Sequence, residues 1–401
     1  MFENVWNPAT PDEFVQQLRD HVQNAPTPIT AVGGGTALDY LGNVAENAIG
    51  VQTKAWDSVI DYPARDMTIT VQTGIRIAEL QKILAGENQR LPIDIPQIEQ
   101  TTLGGAIACN VSGPSRYGYG TFRDYLIGMT AVDGTGRLFS AGGRVVKNVA
   151  GYDLCKLMIG SIGTLGVLTQ VTLKTRPICS GQSFVCGGFE DVQALQEAMH
   201  VLNLSETRPV ILDVVSGSQQ LEALGFPVLP YVLCCGFEGT DNEVAWQCER
   251  IQEEIAPAKP IEMGVVSGDQ AKLLKQGLTE HAAQETPLTF RIETTPSQAL
   301  ALLNNLRDRC QSIQAHAGNG VVLGHLGDTV SDSQQAQQFI SDTRATVVEH
   351  GGSLVVTHVC DEWKAGIDCL GPAPVTWTLM QGIRDQLDPQ HILNPGHLWP
   401  R

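Results

Sequence analysis

The 401-residue chain is 42% hydrophobic and 17% charged, which is enough apolar material for large buried cores. Its formal net charge of −17 excludes nucleic acid and anionic membrane surfaces as general partners, because both fields would repel it. Ten cysteines without one C-x-x-C or C-x-x-x-C exclude iron–sulfur and zinc-ribbon motifs and read mostly as small buried hydrophobes of a reducing compartment.

The start, MFENVWNPATPDEF, carries neither a basic nor an apolar targeting region, and no run approaches a membrane span, so a cytoplasmic protein is expected. A helix begins at Pro11 behind Thr10, with Phe14, Val15, Leu18 and Val22 on one face. The β-type run Ile29–Val32 opens directly into Gly33, Gly34, Gly35 and Thr36, a loop able to wrap a phosphate. It lacks the Lys-Ser/Thr of a Walker loop and is not G-x-G-x-x-G, which argues against a nicotinamide Rossmann domain. MTITVQTG alternates as a half-buried strand, and IRIAELQKILAG follows as an amphipathic helix stopped by Gly86.

The extended, proline-punctuated LPIDIPQIEQ leads to TTLGGAIACNVSGPSRYGYG, the stretch around which the chain is organised. Gly104 and Gly105 sit at the start of a short helix, where each costs about 1 kcal/mol against alanine. Either the backbone approaches a ligand there with free N–H groups, or two elements pack closely. LIGMTAVDGTGRLFS reads as a hairpin around Asp133 and Gly134, followed by a short helix from Tyr152, glycines 160, 163 and 166, and the strand Val167–Lys174.

A boundary falls near Pro177, dividing the chain into 1–178, 179–375 and a C-terminal helix and tail at 376–401. Beyond it β-type runs alternate with helices at Glu190–Leu202, Asn242–Ile255, Pro296–Cys310 and Ser333–His350. This predicts an α+β domain whose antiparallel sheet is covered on one face. No internal repeat or low-complexity segment is present.

Three glycine-rich turns within one domain converge on a large, flat, anionic ligand with a pyrophosphate. The order GGGT, P-x-x-x-x-x-TLGGAIACN, RD-x-LIG, VVKNVAGYDLCKL and GSIGTLGVLT resembles the vanillyl-alcohol oxidase/PCMH-type FAD-binding superfamily. Within it the likeness is to the glycolate oxidase group, specifically its FAD-binding E subunit, and it spans roughly Ile29–Pro177. The resemblance implies a PCMH-type domain of two α+β subdomains followed by an α+β cap domain, with FAD as cofactor. It implies that Gly33, Gly34, Gly35, Thr36 and Ala37 wrap the pyrophosphate. Pro96, Thr102, Gly104, Gly105 and Asn110 would line the pyrophosphate, ribityl chain and flavin edge, and Gly163, Gly166 and Val167 the other side. Thr36 stands where covalent members carry histidine, so the flavin is expected to be noncovalent.

Arg116, Arg123, Asp124 and Lys147 are candidates for flavin or substrate contact or for local ion pairs, and Tyr117 and Tyr119 for packing at the cofactor rim. Trp363, Trp377 and Trp399 read as core or interface. Related 2-hydroxy-acid dehydrogenases hold a metal through H-x-G-D-G-N-x-H and a Glu-His pair. Here the first histidine is His316, but Asn319 replaces the aspartate, Leu323 the second histidine and Thr357 the glutamate before His358. No metal is therefore expected, and catalytic residues stay unassigned.

The resemblance implies a FAD-binding subunit of a hetero-oligomeric glycolate oxidase. Such a subunit supports glycolate oxidation to glyoxylate beside a metal-equipped flavoprotein subunit and an iron–sulfur subunit, with the complex free in the cytoplasm or held at the inner membrane by its partners. The alternatives are a self-sufficient FAD-dependent 2-hydroxy-acid dehydrogenase and a structural subunit with a vestigial flavin.

Overall fold

The computed structural model describes residues 2–24, 26–143, 152–216, 229–327 and 330–397. Backbone contacts divide the chain into two compact units. The first comprises Met1–Ser112, Thr121–Ile178 and Pro372–Arg401, and the second Gly113–Gly120 with Cys179–Gly371. One passage from the first unit to the second falls after Ile178. The C-terminal segment, read as a separate tail, joins the first unit, and the short piece 113–120 joins the second.

In the first unit, Asn4–Trp6, Ile49–Gln52 and Ile29–Val32 form a small parallel sheet. The helix Pro11–Asn24 buries Phe14, Val15 and Leu18 in a core that also holds Trp56, Val132, Val167, Ile392 and Leu393. An antiparallel five-stranded sheet runs in the order Val59–Asp61, Thr68–Gln72, Val167–Lys174, Leu126–Val132, Leu138–Gly142. The strand Thr68–Gln72 is paired on both edges and buried along nearly its whole length, not half-buried as its alternation suggested. Gly86 ends the helix Ile77–Ala85 in a right-handed conformation, so a left-handed cap is not its role.

The hairpin Leu126–Val132 and Leu138–Gly142 closes around buried Asp133. Its carboxylate accepts from the Thr135 and Arg137 backbone N–H groups at 2.9 and 3.0 Å and from the Arg137 guanidinium at 2.9 Å. The C-terminal strand-like piece returns to the N-terminal sheet. Leu393 bridges Ile29 in parallel, and Asn394 N–H donates to the Ile29 carbonyl at 2.9 Å.

The second unit is built on one eight-stranded antiparallel sheet. The strands run Glu262–Ser267, Gly181–Phe189, Tyr231–Gly239, Ile211–Ser216, Ser312–His316, Val321–Leu326, Leu288–Glu293 and Ser353–Val359. Helices Val192–Leu204, Asp241–Ile255, Pro296–Leu306 and Ser333–Glu349 supply apolar faces to the larger core on this sheet. The prediction of a sheet covered on one face needs correcting. Helix Gly268–Glu280, not recognised in the sequence, packs Ala271, Leu274 and Leu278 against Phe184, Ile211, Val215 and Val266 in a second core.

The segment 113–120 is anchored in this unit. Gly118 N–H donates to the Val210 carbonyl at 3.0 Å, Tyr119 hydroxyl donates to Glu238 at 2.7 Å, and the Tyr117 ring rests on Gly318. Both tyrosines, expected at a cofactor rim, thus have definite partners within the second unit. No helix among the described residues is long and apolar enough to cross a membrane.

Candidate cofactor cleft and buried histidine face

The three glycine-rich turns of the first unit come together around one open cleft. Of the residues singled out in the sequence, Gly33, Gly34, Gly35, Thr36, Ala37, Thr102, Gly104, Gly105, Gly163, Gly166 and Val167 line it. Pro96 and Asn110 do not. The Pro96 carbonyl accepts from the Thr101 hydroxyl at 3.0 Å, and Asn110 turns the chain in a left-handed conformation, φ 50°.

The glycines serve different ends. A Cβ on Gly33 would lie 2.0 Å from Thr102 Oγ1, and one on Gly34 would lie 2.1 Å from the Gln100 carbonyl oxygen, so both let the first loop pack on residues 100–102. One on Gly104 would stand 3.0 Å from Thr73 Cβ, and one on Gly166 3.0 Å from the Val132 oxygen. These four satisfy the packing explanation. Gly35, at φ +81°, would meet nothing within 4 Å, and Gly105 only Thr102 Oγ1 at 3.5 Å. At these two positions the missing side chain leaves open cleft instead.

The start of helix Leu103–Ala108 also differs from expectation. Two of its N–H groups are consumed, Leu103 donating to the Ile75 carbonyl at 2.9 Å and Gly104 to the Thr73 carbonyl at 2.8 Å. The loop Gly33–Gly35 is the better anion cradle, since its backbone N–H groups donate to no other backbone group among the described residues.

The far wall was only partly legible. Ile162, a β-branched residue held at φ 53°, donates its N–H to the Ala108 carbonyl at 2.9 Å and accepts from Asn394 Nδ2 at 2.6 Å. Such a conformation stores roughly 1–3 kcal/mol of strain, and here it exposes the 161–163 turn to the cleft. Asn394 and His397 line the same cleft from the other end of the chain, where no site residue was expected. His397 Nδ1 donates to the Tyr40 carbonyl at 3.0 Å, and burial holds its imidazole below the ordinary range.

The walls fit a long polar ligand. Thr30 Oγ1, Thr102 Oγ1, Asn394 Oδ1 and His397 Nε2 are all buried, all belong to cleft residues and all have no partner. Buried polar atoms without partners are rare enough that four around one cleft point to an occupant that satisfies them.

Of the charged candidates, Asp124 is spent on a helix cap, accepting the Thr121 N–H at 2.9 Å. Arg123 is exposed, Arg116 lies in the segment that joins the second unit, and Lys147 lies outside the described residues, as does Trp399. Trp363 packs at the edge of the larger core.

Within the second unit, His316 is neither free nor grouped with metal ligands. It is 3% exposed, and its Nδ1 stands 2.9 Å from Oδ1 of fully buried Asp213, the residue opposite it in the ladder. Gln314 Nε2 holds the other Asp213 oxygen at 2.6 Å. Two further buried histidines escaped the sequence reading. His325 accepts from or donates to Thr286 and Thr289 at 3.2 and 3.0 Å, and His281 meets its ring edge-on at 4.6 Å between centroids. Burial pushes His325 down to about 4 and His281 well below the usual imidazole value. His358 lies opposite Thr289, and the Thr357 hydroxyl donates to the Thr289 carbonyl at 3.3 Å. No group of three or more His, Cys, Asp or Glu that could hold a metal occurs among the described residues.

Two families of known proteins match most of the chain. Residues 3–142 match the FAD binding domain family, and residues 182–398 match the FAD linked oxidases, C-terminal domain family. The chain belongs to the FAD-linked oxidases. It is a FAD-dependent oxidoreductase, and FAD is its cofactor.

This FAD-linked oxidase is 27% identical to an uncharacterized FAD-linked oxidoreductase of Mycobacterium tuberculosis, over 97% of its own length and 89% of that protein. It is 33% identical to glycolate oxidase subunit GlcE of Escherichia coli, over 41% of the chain and 48% of the relative. It is 25% identical to a D-lactate dehydrogenase of Anaerostipes hadrus, over 97% and 88%. Its fold is similar to that of alkyldihydroxyacetonephosphate synthase, with TM-score 0.72 and 17% identity over 98% of this chain and 75% of that one.

Proposed function

We propose that this oxidase is the FAD-bearing subunit of a complex that oxidises a small 2-hydroxy acid, with glycolate to glyoxylate as the first candidate reaction. The observation that carries the reading is the cleft of the first unit, whose loop glycines and partnerless buried atoms suit a pyrophosphate-bearing cofactor. Gly35 and the backbone N–H groups of its loop would hold the diphosphate. Thr102, Asn394 and His397 would supply single polar contacts farther along, and Gly105 would leave room for the ring system. When bound, FAD supplies a two-electron acceptor for hydride. The chain's own part is to position it, exclude water and hold it without a covalent bond, since Thr36 offers no nitrogen nucleophile.

The names borne by two relatives, glycolate oxidase subunit and D-lactate dehydrogenase, support a 2-hydroxy acid. The lack of any C-x-x-C supports electron exit through a partner protein, of which an iron–sulfur subunit is the expected kind. A second reading, a dehydrogenase needing no partner for the chemical step, is favoured by the Asp213–His316 pair.

The decisive experiment is the visible spectrum of the purified chain, followed by anaerobic addition of glycolate and then D-lactate. A colourless chain that takes up no FAD overturns the cofactor reading. Bleaching by a 2-hydroxy acid at the rate of the whole complex favours the second reading. A flavin that stays oxidised until the partner is added favours the first.

A further inference from the structure

The eight-stranded sheet of the second unit ends in two edges that the chain treats differently. An unpaired edge presents a row of N–H and C=O groups able to template another strand, and natural sheets blunt or cover such rows. The strand Ser353–Val359, at one edge, is covered in this way. Its Val356 N–H donates to the Cys369 carbonyl at 2.9 Å, and its Leu354 carbonyl accepts from Arg344 Nε at 3.1 Å. Its pairing with Leu288–Glu293 also shifts register between Thr289 and Phe290, which interrupts the regular edge.

The strand Glu262–Ser267, at the other edge, lacks these protections. Among the described residues it pairs only with Gly181–Phe189, in unbroken register from Ser183 opposite Ser267 to Gly188 opposite Glu262. The Ile261 N–H donates to the Gly188 carbonyl at 2.9 Å, so that carbonyl faces this strand. Backbone groups alternate in direction along a strand. Glu262, Gly264 and Val266 therefore turn theirs inward to the ladder. Met263 and Val265 turn their N–H and C=O groups outward, where no other backbone group among the described residues takes them.

The side chains agree with an open edge. Val265 is 47% exposed and Ile261 56%, although both are aliphatic. Gly264 lies between the two outward residues, and a Cβ built on it would meet nothing within 4 Å. Neither proline nor lysine stands within the strand, and the stretch 259–267 balances Lys259 with Glu262. Two copies of a chain whose net charge is −17 meet here at a locally neutral place.

The strand is complementary to itself. In an antiparallel pair about a two-fold axis at Gly264, Met263 of each copy stands opposite Val265 of the other. These pairs exchange both their bonds, which satisfies every outward group of the two residues. The axis passes between two glycines at a non-hydrogen-bonded position, where Cα atoms approach to about 4.5 Å. Met263 meets Val265 in an apolar cross-strand contact, and Glu262 faces Val266, not a second carboxylate.

We propose that Glu262–Ser267 is a self-association edge, to which a second copy of this chain adds the same strand antiparallel, continuing the sheet across a two-fold axis. The occupant is a copy because the outward bonds, the apolar pair and the glycine at the axis all match when these residues meet themselves reversed. Association is independent of the flavin-bearing role, since it uses no group of the cofactor cleft.

Light scattering on the full chain at micromolar concentration is expected to give twice the 43.2 kDa of one copy. V265P removes an outward N–H and no bond to Gly181–Phe189, so Tm and FAD content stay while association weakens about tenfold or more. V265K places two lysines beside the axis, acts in the same direction and serves should V265P fail to fold. G264C fits its open position and sets two thiols opposite one another within disulfide reach. Oxidised glutathione links G264C into a covalent pair that the unaltered chain does not form.

A one-copy mass for the unaltered chain, a dimer that survives V265P and V265K, or a G264C chain that stays unlinked overturns the proposal. Association that appears only with an unlike protein present, and that V265P abolishes, assigns the edge to that partner and overturns it too. A two-copy mass, sensitive to V265P, in a chain that never holds FAD supports the edge and overturns the cofactor reading instead.

Discussion

The hydroxyls of Thr36 and Thr101 stand 3.2 Å apart, joining the triple-glycine loop to the residues that precede the glycine helix. Thr101 spends its one proton on the Pro96 carbonyl, so Thr36 must donate to Thr101. The Thr36 hydroxyl is thereby committed to the scaffold and has no proton left for a phosphate. Thr102, with a buried Oγ1 and no partner, is the available donor. T36V is expected to lower stability by about 1 kcal/mol and leave FAD affinity within threefold. T102V is expected to weaken FAD about tenfold or more, the value of a lost hydrogen bond to a charged group. Equilibrium dialysis of FAD against both variants checks the contrast.

Gly104 and Gly105, neighbours in one helix, should respond oppositely to substitution. G105L projects into the cleft and meets only Thr102, so the FAD-free protein keeps its Tm while FAD retention falls at least tenfold. G104A pushes a methyl against Thr73, lowering stability by about 1–3 kcal/mol through overpacking. Flavin stoichiometry beside thermal melts separates the two. Unchanged stoichiometry in G105L would count against the cleft as the flavin site.

The C-terminal segment is expected to be indispensable to the first unit. Asp388 is fully buried, and burial raises its carboxyl above the usual range even though it accepts the Ile392 and Leu393 N–H groups at 3.1 and 2.9 Å. Those bonds aim Leu393 at Ile29 and Asn394 at Ile162. D388N turns an acceptor into a donor facing backbone N–H groups, costing about 1–3 kcal/mol. Urea midpoints measure it. Removal of residues 388–401 should abolish FAD retention altogether.

Acid should destabilise the second unit through its buried histidines. His325 titrates at about 4 in the folded chain against 6.5 when unfolded, because burial disfavours the cation. Above pH 6.5 neither state binds the proton and stability is complete. From there down to about pH 4 only the unfolded state binds it, so stability falls, by about 3 kcal/mol for this residue, and then levels off. His281 acts in the same direction. Its two ring nitrogens have no partners, so H281F keeps the shape and removes an acid-sensitive group. Melts from pH 7.5 to 4.5 should show a shallower decline for H281F than for the unaltered chain.

Local pattern made much of this fold readable in the sequence. The helix Pro11–Asn24, the hairpin around Asp133 and the alternation of strands and helices beyond Pro177 all follow from periodicity and turn residues. The helix Gly268–Glu280 was missed because it opens on a glycine at φ +60° and carries a polar, charged sequence around its three inward residues.

What the sequence could not divide was the labour among the glycines. Gly34 and Gly35 look alike as letters, and only the Gln100 carbonyl 2.1 Å from one absent Cβ tells them apart. The partner of His316 was equally hidden, since Asp213 lies 103 residues away inside an apolar strand, VILDVV, where it reads as an interruption. Asn394 and His397 reach the cleft from beyond the whole second unit, a closure that no local pattern encodes.

The excursion of residues 113–120 has a consequence for how this molecule can be taken apart. The chain passes between its units at 112/113, 120/121, 178/179 and 371/372, so no single cleavage frees either of them. A fragment covering 179–371 would leave Glu238 without the Tyr119 hydroxyl and Gly318 without the ring of Tyr117. A fragment ending at 178 would lack the strand edge that Leu393 lends to Ile29. The protein is threaded, not strung, and its halves cannot be exchanged with those of a relative by a simple splice.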